Sequence, residues 1–193
     1  MKVYIFRHGE TSWSISGQHT GWTDLELNSN GINEAKFLGR ALKGVKFDHV
    51  FSSPLKRAKE TCVLAGFEKN MQLNPALLEW NYGDYEGLTS AEIWKIDPNW
   101  TIFTKDPPKG ETSKEIEERV DLFIEKLRDL KGDIAIFSSG HISRAFAARW
   151  LNLPVSFGAC LYLSTGSKSI LGYEHKSPVI LLWNDTSHLN RLE

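Results

Sequence analysis

Three short stretches that read as strands in this chain stop at the same kind of boundary. Val3-Tyr4-Ile5-Phe6 meets Arg7-His8-Gly9, the stretch from Asp48 to Ser52 meets Ser53-Pro54, and Ile134 to Phe137 meets Ser138-Ser139-Gly140. Short, nearly unbroken apolar runs suit strands covered on both faces, and helical patterns lie between them. Alternating strands and helices imply an α/β layered fold with a mostly parallel sheet and helices on both faces. Ligands in such folds sit beyond the carboxyl ends of the strands. All three polar boundaries fall at such ends, so they are expected to converge on one site.

The intervening segments agree with this reading. Ile32, Ala35, Leu38 and Leu42 mark one face of a helix. Ser53 as N-cap and Pro54 at N1 predict a second helix, ended near Gly66. Thr89-Ser90-Ala91-Glu92 and Thr112-Ser113-Lys114-Glu115 are capping boxes. The second opens a long helix with Ile116, Val120, Phe123, Leu127 and Leu130 inward, and another helix is predicted from about His141 to Leu151. Cys160 to Leu163, Ser169 to Tyr173 and Val179 to Trp183 read as strands, the last two either a hairpin around Lys176-Ser177 or in separate parts of the sheet. The stretch from Ser12 to Asn28 is long enough for a functional loop. Residues 97–111, with Asp97-Pro98, Pro107-Pro108 and Gly110, read as irregular.

At 193 residues the chain suits a single domain, 1–193, with an excursion at about 88–111 over the site. A net charge of -1 gives no general attraction to nucleic acid or an anionic membrane, so any anion site must be local. Cys62 and Cys160 form neither a disulfide framework nor a metal cluster. No apolar run approaches transmembrane length, and Met1-Lys2-Val3-Tyr4-Ile5 lacks the layout of a signal peptide. A soluble cytoplasmic protein is expected.

The boundary residues suit phosphoryl chemistry. Arg7 offers a planar fork of donors to a phosphate, and Arg57 offers another. Helix starts after Ser53 and Ser139 add backbone N–H groups. Nearby guanidinium charge lowers the pKa of His8 and keeps its ring free to attack phosphorus, giving a phosphohistidine that water hydrolyses. Glu79 follows Leu77-Leu78 and precedes aromatics, and partial burial there raises its pKa toward that of a general acid. Glu86, between Gly83 and Gly87, is placed to hold a loop by hydrogen bonds. His19 lies near the site, while His49, His175 and His188 read as surface residues, and Glu117-Glu118 as an exposed helix face.

Arg7-His8-Gly9-Glu10-Thr11, Ser53 to Thr61 and Glu79-Trp80-Asn81-Tyr82-Gly83-Asp84-Tyr85-Glu86-Gly87 together resemble the histidine phosphatase superfamily, in its phosphoglycerate-mutase-like branch. The resemblance implies a phosphoglycerate mutase-like three-layer fold. It implies that His8 is the phosphorylated nucleophile, that Arg7 and Arg57 bind phosphate, that Glu79 is the acid, and that no metal or other cofactor is needed. Ser14 to Leu25, Glu79 to Gly87 and the Ala145 to Leu151 helix are similar to the sedoheptulose-1,7-bisphosphatase-like sugar bisphosphatases. That likeness implies substrate contacts from Ser14, Thr20, Gly21 and Tyr82, and a small phosphorylated metabolite as partner.

The chain departs from the family at one place. The second catalytic histidine of the family, in a His-Gly pair, corresponds to Ser139 in Ser138-Ser139-Gly140-His141. Either His141 supplies the second imidazole or it is lost. Ser139, Gly140 and His141 are therefore expected at the phosphate, and loss of such a donor costs roughly 3 kcal/mol in the transition state. The extra cations by which mutases hold a second phosphate are missing: Trp80, Ser90 and an arginine-free stretch from Asp97 to Lys109 stand at the matching places. This favours hydrolysis of a sugar phosphate or bisphosphate over mutase activity. A catalytically weakened phosphate-binding relative is the competing expectation.

Overall fold

The computed structural model describes residues 1–190. In chain order the elements are β1 (Val3–Arg7), α1 (Ser12–Ser16), α2 (Ser29–Ala41), β2 (His49–Ser52), α3 (Lys56–Leu64), β3 (Met71–Leu73), α4 (Ser90–Ile96), α5 (Ser113–Arg128), β4 (Ile134–Ser138), α6 (Gly140–Trp150), β5 (Lys168–Glu174) and β6 (Ser177–Asp185), with short 3₁₀ turns between some of them. The six strands form one sheet in the order β3-β2-β4-β1-β5-β6. The first four run parallel, and β5 and β6 are antiparallel to their neighbours.

The period of two along each strand sorts side chains between two cores. Val3 and Ile5 of β1 lie opposite Ile134 and Ile136 of β4, and all four pack with Ile116, Val120 and Leu127 of α5 and Ile142 and Ala145 of α6. The alternate residues Phe6, Ala135 and Phe137 pack on the other side with Leu38 of α2 and Cys62 of α3. Helices thus cover both faces, as the apolar runs require.

Both capping boxes form, at Thr89 with Glu92 and at Thr112 with Glu115. The chain after β2 differs from expectation. Its helix starts at Lys56, not Pro54, and its N-cap Leu55 has no side-chain acceptor. The carboxylate of Asp24 instead accepts the Lys56 N–H at 2.7 Å, so the cap comes from the distant 12–28 loop. Cys160 to Leu163 is not a strand. Val155–Cys160 is a 3₁₀ turn. Carbonyls in and after that turn accept from guanidinium groups: Gly158 and Ala159 from Arg144, Leu163 from Arg7. Ser169 to Tyr173 and Val179 to Trp183 do pair as a hairpin, turning at His175-Lys176. The edge strand β3 carries no sequence signal, because Met-Gln-Leu lacks β-branched residues.

Candidate active site

The strands β1 and β4 remain in register to their last residues, with Arg7 opposite Ser138. The His8 N–H then donates to the Ser138 carbonyl at 2.9 Å, and the Ser53 N–H to the Phe137 carbonyl at 2.9 Å. The three polar boundaries therefore lie on adjacent strands. Gly9 is required where the chain leaves β1, because a Cβ there would strike the backbone of Gly31 at the start of α2.

His8 is buried, and its Nδ1 lies 2.7 Å from the Gly9 carbonyl. A carbonyl only accepts, so Nδ1 carries the proton and Nε2 keeps a lone pair. Burial, then Arg57, then Arg7 push the imidazole well below the usual value of 6.5. The ring is neutral at pH 7 and Nε2 is unprotonated.

The two arginines are held differently. Arg7 donates from Nη1 to the Leu163 carbonyl at 2.5 Å, while its buried Nε has no partner among the described residues. Arg57 is fully buried at the start of α3. It donates to the carbonyls of Thr23 at 3.0 Å, Thr20 at 3.1 Å and Gly21 at 2.8 Å, and from Nε to the Ser139 hydroxyl at 3.3 Å. The same loop is held from the other side, where Glu86 accepts the N–H groups of Gly21 at 2.9 Å and Thr23 at 3.1 Å.

Glu79 is also buried. Its Oε1 accepts from the backbone of Trp80 at 2.9 Å and Ile142 at 2.7 Å, and its Oε2 from His141 N–H at 2.9 Å. The carboxylate thus caps α6, a favourable place for negative charge. Ser139 occupies the N-cap position but makes no cap with its side chain. Three of about four lone-pair directions on the Glu79 carboxylate are used, which leaves one for a proton. Trp22 donates to the Glu79 carbonyl at 3.0 Å, and an Arg119–Glu111 ion pair at 2.8 Å braces the preceding turn through the Ala76 carbonyl.

Tyr82 and His141 form a hydrogen-bonded pair between the phenol oxygen and Nδ1. Burial holds the Tyr82 hydroxyl well above its usual value and His141 well below 6.5. The phenol is therefore the donor, and the proton of the neutral His141 ring sits on Nε2. His19 stacks beside it with ring centroids 6.1 Å apart and an interplanar angle of 14°.

These groups surround a cavity of about 260 Å³. Of the residues singled out in the sequence, Arg7, His8, Ser14, His19, Thr20, Glu79, Tyr82, Gly140 and His141 line it. Arg57, Ser139 and Gly21 do not, and instead form the packed layer in which Arg57 binds Gly21 and Ser139. Arg144 lines the cavity and was not foreseen. Its signal was its position, three residues after His141 on one helical face. It stacks 4.5 Å from the Phe103 ring, and its Nε and Nη2 are tied to Gly158 and Ala159. A smaller annex of about 220 Å³ shares His19, Ser90, His141 and Arg144 with the cavity and is walled by Trp94, Trp100 and Phe103 of the 88–111 excursion.

The family model described as histidine phosphatase superfamily (branch 1) matches residues 3–186. An acid phosphatase from Mycobacterium tuberculosis is 36% identical over 193 residues, covering 97% of this chain and 94% of the relative. The sedoheptulose 1,7-bisphosphatase of Saccharomyces cerevisiae is 32% identical over 186 residues, covering 80% of this chain and 69% of the relative. The solved structure of an open reading frame from Mycobacterium tuberculosis superimposes with a TM-score of 0.90 at 35% identity, over 95% of this chain and 96% of that one.

Proposed function

The chain belongs to the histidine phosphatase superfamily, branch 1, as a phosphoric monoester hydrolase, and we propose that it hydrolyses a small phosphomonoester, a sugar phosphate or bisphosphate, through a phosphohistidine at His8. The observation that carries this reading is the His8 ring itself. It is buried beside two guanidinium groups, with its Nδ1 proton fixed on Gly9 and Nε2 bare.

In the first step the Nε2 lone pair attacks phosphorus and the bond to the leaving oxygen breaks. Arg7, which lines the cavity, stabilises the charge on the transferring oxygens, and the buried Arg57 adds positive charge from the layer behind it. Glu79 acts as the general acid and gives a proton to the leaving oxygen. In the second step Glu79 takes a proton from water, the water oxygen attacks phosphorus, and His8 departs neutral. The products are an alcohol and inorganic phosphate.

His141 donates from Nε2 toward the phosphoryl group, its tautomer set by Tyr82. Arg144 and His19 line the outer cavity and face the organic part of the substrate or its second anionic group. The two lysines of the 97–109 stretch are paired outside it, Lys105 with Asp97 at 2.6 Å and Lys109 with Asp84 at 3.1 Å. Arg144 is thus the cation left to serve a second phosphate, which fits a bisphosphatase better than a mutase. The whole described chain, 1–190, acts as one domain, with the 88–111 excursion as the specificity wall.

Ser139 supports a second reading, a slow, phosphate-binding relative. Its hydroxyl carries no charge and is bound to Arg57. A panel of sugar phosphates assayed in EDTA decides between the two. Phosphate release that stops in His8→Ala supports the hydrolase. Binding of the same panel without turnover supports the alternative, and turnover that persists in His8→Ala overturns the mechanism.

A further inference from the structure

A second cavity, of about 450 Å³, lies between α2 and the 3₁₀ turn Ser187–Asn190 and shares no lining residue with the active cavity. Phe37, Arg40, Ala41, Lys168, Ser187 and His188 line it. His188 is the informative group. It is 8% exposed, so it is not the surface residue the sequence suggested. Its Nε2 lies 2.9 Å from the Gly166 carbonyl and therefore carries the ring proton. Burial keeps the imidazole below its usual value, so the ring is neutral at pH 7. Nδ1 is then a bare acceptor, buried and without a partner among the described residues. Leaving a buried acceptor unpaired is costly, and native structures rarely do so.

We propose that this cavity binds a small oxyanion that still carries a proton, typified by hydrogen phosphate: the His188 ring tilts to bring its buried Nδ1 to the ligand O–H, and the charged oxygens face Arg40 and Lys168. Arg40 lies 5.3 Å over the Phe37 ring and makes no ion pair among the described residues. Lys168 shares its charge with Asp185 at 3.0 Å. An acceptor beside cations selects a ligand that has both negative charge and a proton to give. Sulfate has the first without the second at neutral pH.

The site has a path to the nucleophile. Gly166, whose carbonyl holds His188, gives its own N–H to the His8 carbonyl at 3.1 Å. The adjoining Ser167 carbonyl accepts the Arg7 N–H at 3.2 Å. Gly166 has φ of +62° and packs against Glu34, so this turn has little freedom to shift without moving its partners. A ligand that reorients His188 acts two hydrogen bonds from the His8 backbone. Inorganic phosphate is a product of the reaction proposed above. Only this kinetic consequence rests on that reading; the binding site does not.

Protein labelled with ¹⁵N at histidine and titrated with phosphate or sulfate at neutral pH tests the proposal. Phosphate is expected to move the His188 Nδ1 resonance from that of a free lone pair to that of a hydrogen-bonded one. Sulfate should do so about tenfold more weakly, the loss expected for one hydrogen bond, although both anions reach the active cavity and perturb His8. Arg40→Gln should weaken the His188 response to phosphate by about tenfold and leave the His8 response unchanged. In turnover assays the same variant should lose a non-competitive part of phosphate inhibition while keeping the competitive part. Phosphate that perturbs His8 alone overturns the site. Equal titration of His188 by the two anions means an adventitious ion only and overturns it equally.

Discussion

The Nε of Arg57 donates to the hydroxyl of Ser139 at 3.3 Å, inside a layer from which solvent is excluded. A neutral hydroxyl here accepts from the arginine, whereas an imidazole would add a donor of its own beside the phosphoryl group. Ser139→His is therefore expected to raise kcat/KM by about a hundredfold, the scale of one transition-state donor. Steady-state kinetics on one sugar phosphate measures it. An unchanged rate would show that His141 already fills the role.

Arg57 does structural work as well. Its donors satisfy the Thr20, Gly21 and Thr23 carbonyls, and a buried carbonyl left unpaired costs about 1–3 kcal/mol. Arg57→Ala should lose about 3–5 kcal/mol of stability together with most of the activity, because the loop bearing Thr20 and Gly21 is released. Chemical denaturation and kcat/KM report the two losses. A variant of unchanged stability would contradict the packing described.

The pH dependence follows from the depressed His8 value. A base with a lowered pKa keeps its lone pair further into acid, so the acid limb of kcat/KM should lie below the usual imidazole value of 6.5. Removing one guanidinium charge with Arg7→Gln should move that limb upward. Stability follows the same sign. His8, His19, His141 and His188 all have lowered values, so the unfolded chain binds more protons below about pH 6.5 and stability falls as the pH drops through that range. Thermal melts from neutral to acid pH test the second statement, and a flat profile would contradict it.

Glu79→Gln separates acid catalysis from capping. The rate on a sugar phosphate, whose alkoxide is a poor leaving group, should fall by about 10²–10⁴-fold. An aryl phosphate with a good leaving group needs no such proton and should lose far less. Equal losses on both substrates would assign Glu79 to structure alone.

Tyr82→Phe removes the hydroxyl that fixes His141. The ring is then free to change tautomer, and kcat/KM should drop by about tenfold, the scale of one hydrogen bond. Combined with His141→Ala, the two losses should be far from additive, since the residues act as a unit. Additive losses would contradict the pairing.

The three strand ends were legible because short, doubly buried runs such as Val-Tyr-Ile-Phe and Ile-Ala-Ile-Phe leave little choice of structure. The capping boxes at Thr89 and Thr112 were legible because each is local. What escaped was long-range. The helix after Ser53-Pro54 starts later than its own residues suggest, because Asp24 caps it from 32 residues away. Cys160 to Leu163 carries strand-forming residues, but part of its backbone and of the turn before it is claimed by Arg144 and Arg7. Glu117 reads as exposed, yet its carboxylate takes the Val155 N–H at 2.9 Å. The residue types at the site could be read directly. Which arginine faces the cavity and which is spent on the loop required the fold.

Rapid quenching of the first turnover, followed by mass spectrometry of the His8 peptide, examines the phosphohistidine itself. An acid-labile phosphoryl group on His8 should accumulate before steady-state phosphate release and be missing in His8→Ala. Turnover with His8 never modified, or with the phosphoryl group on another residue, would contradict nucleophilic attack by this ring.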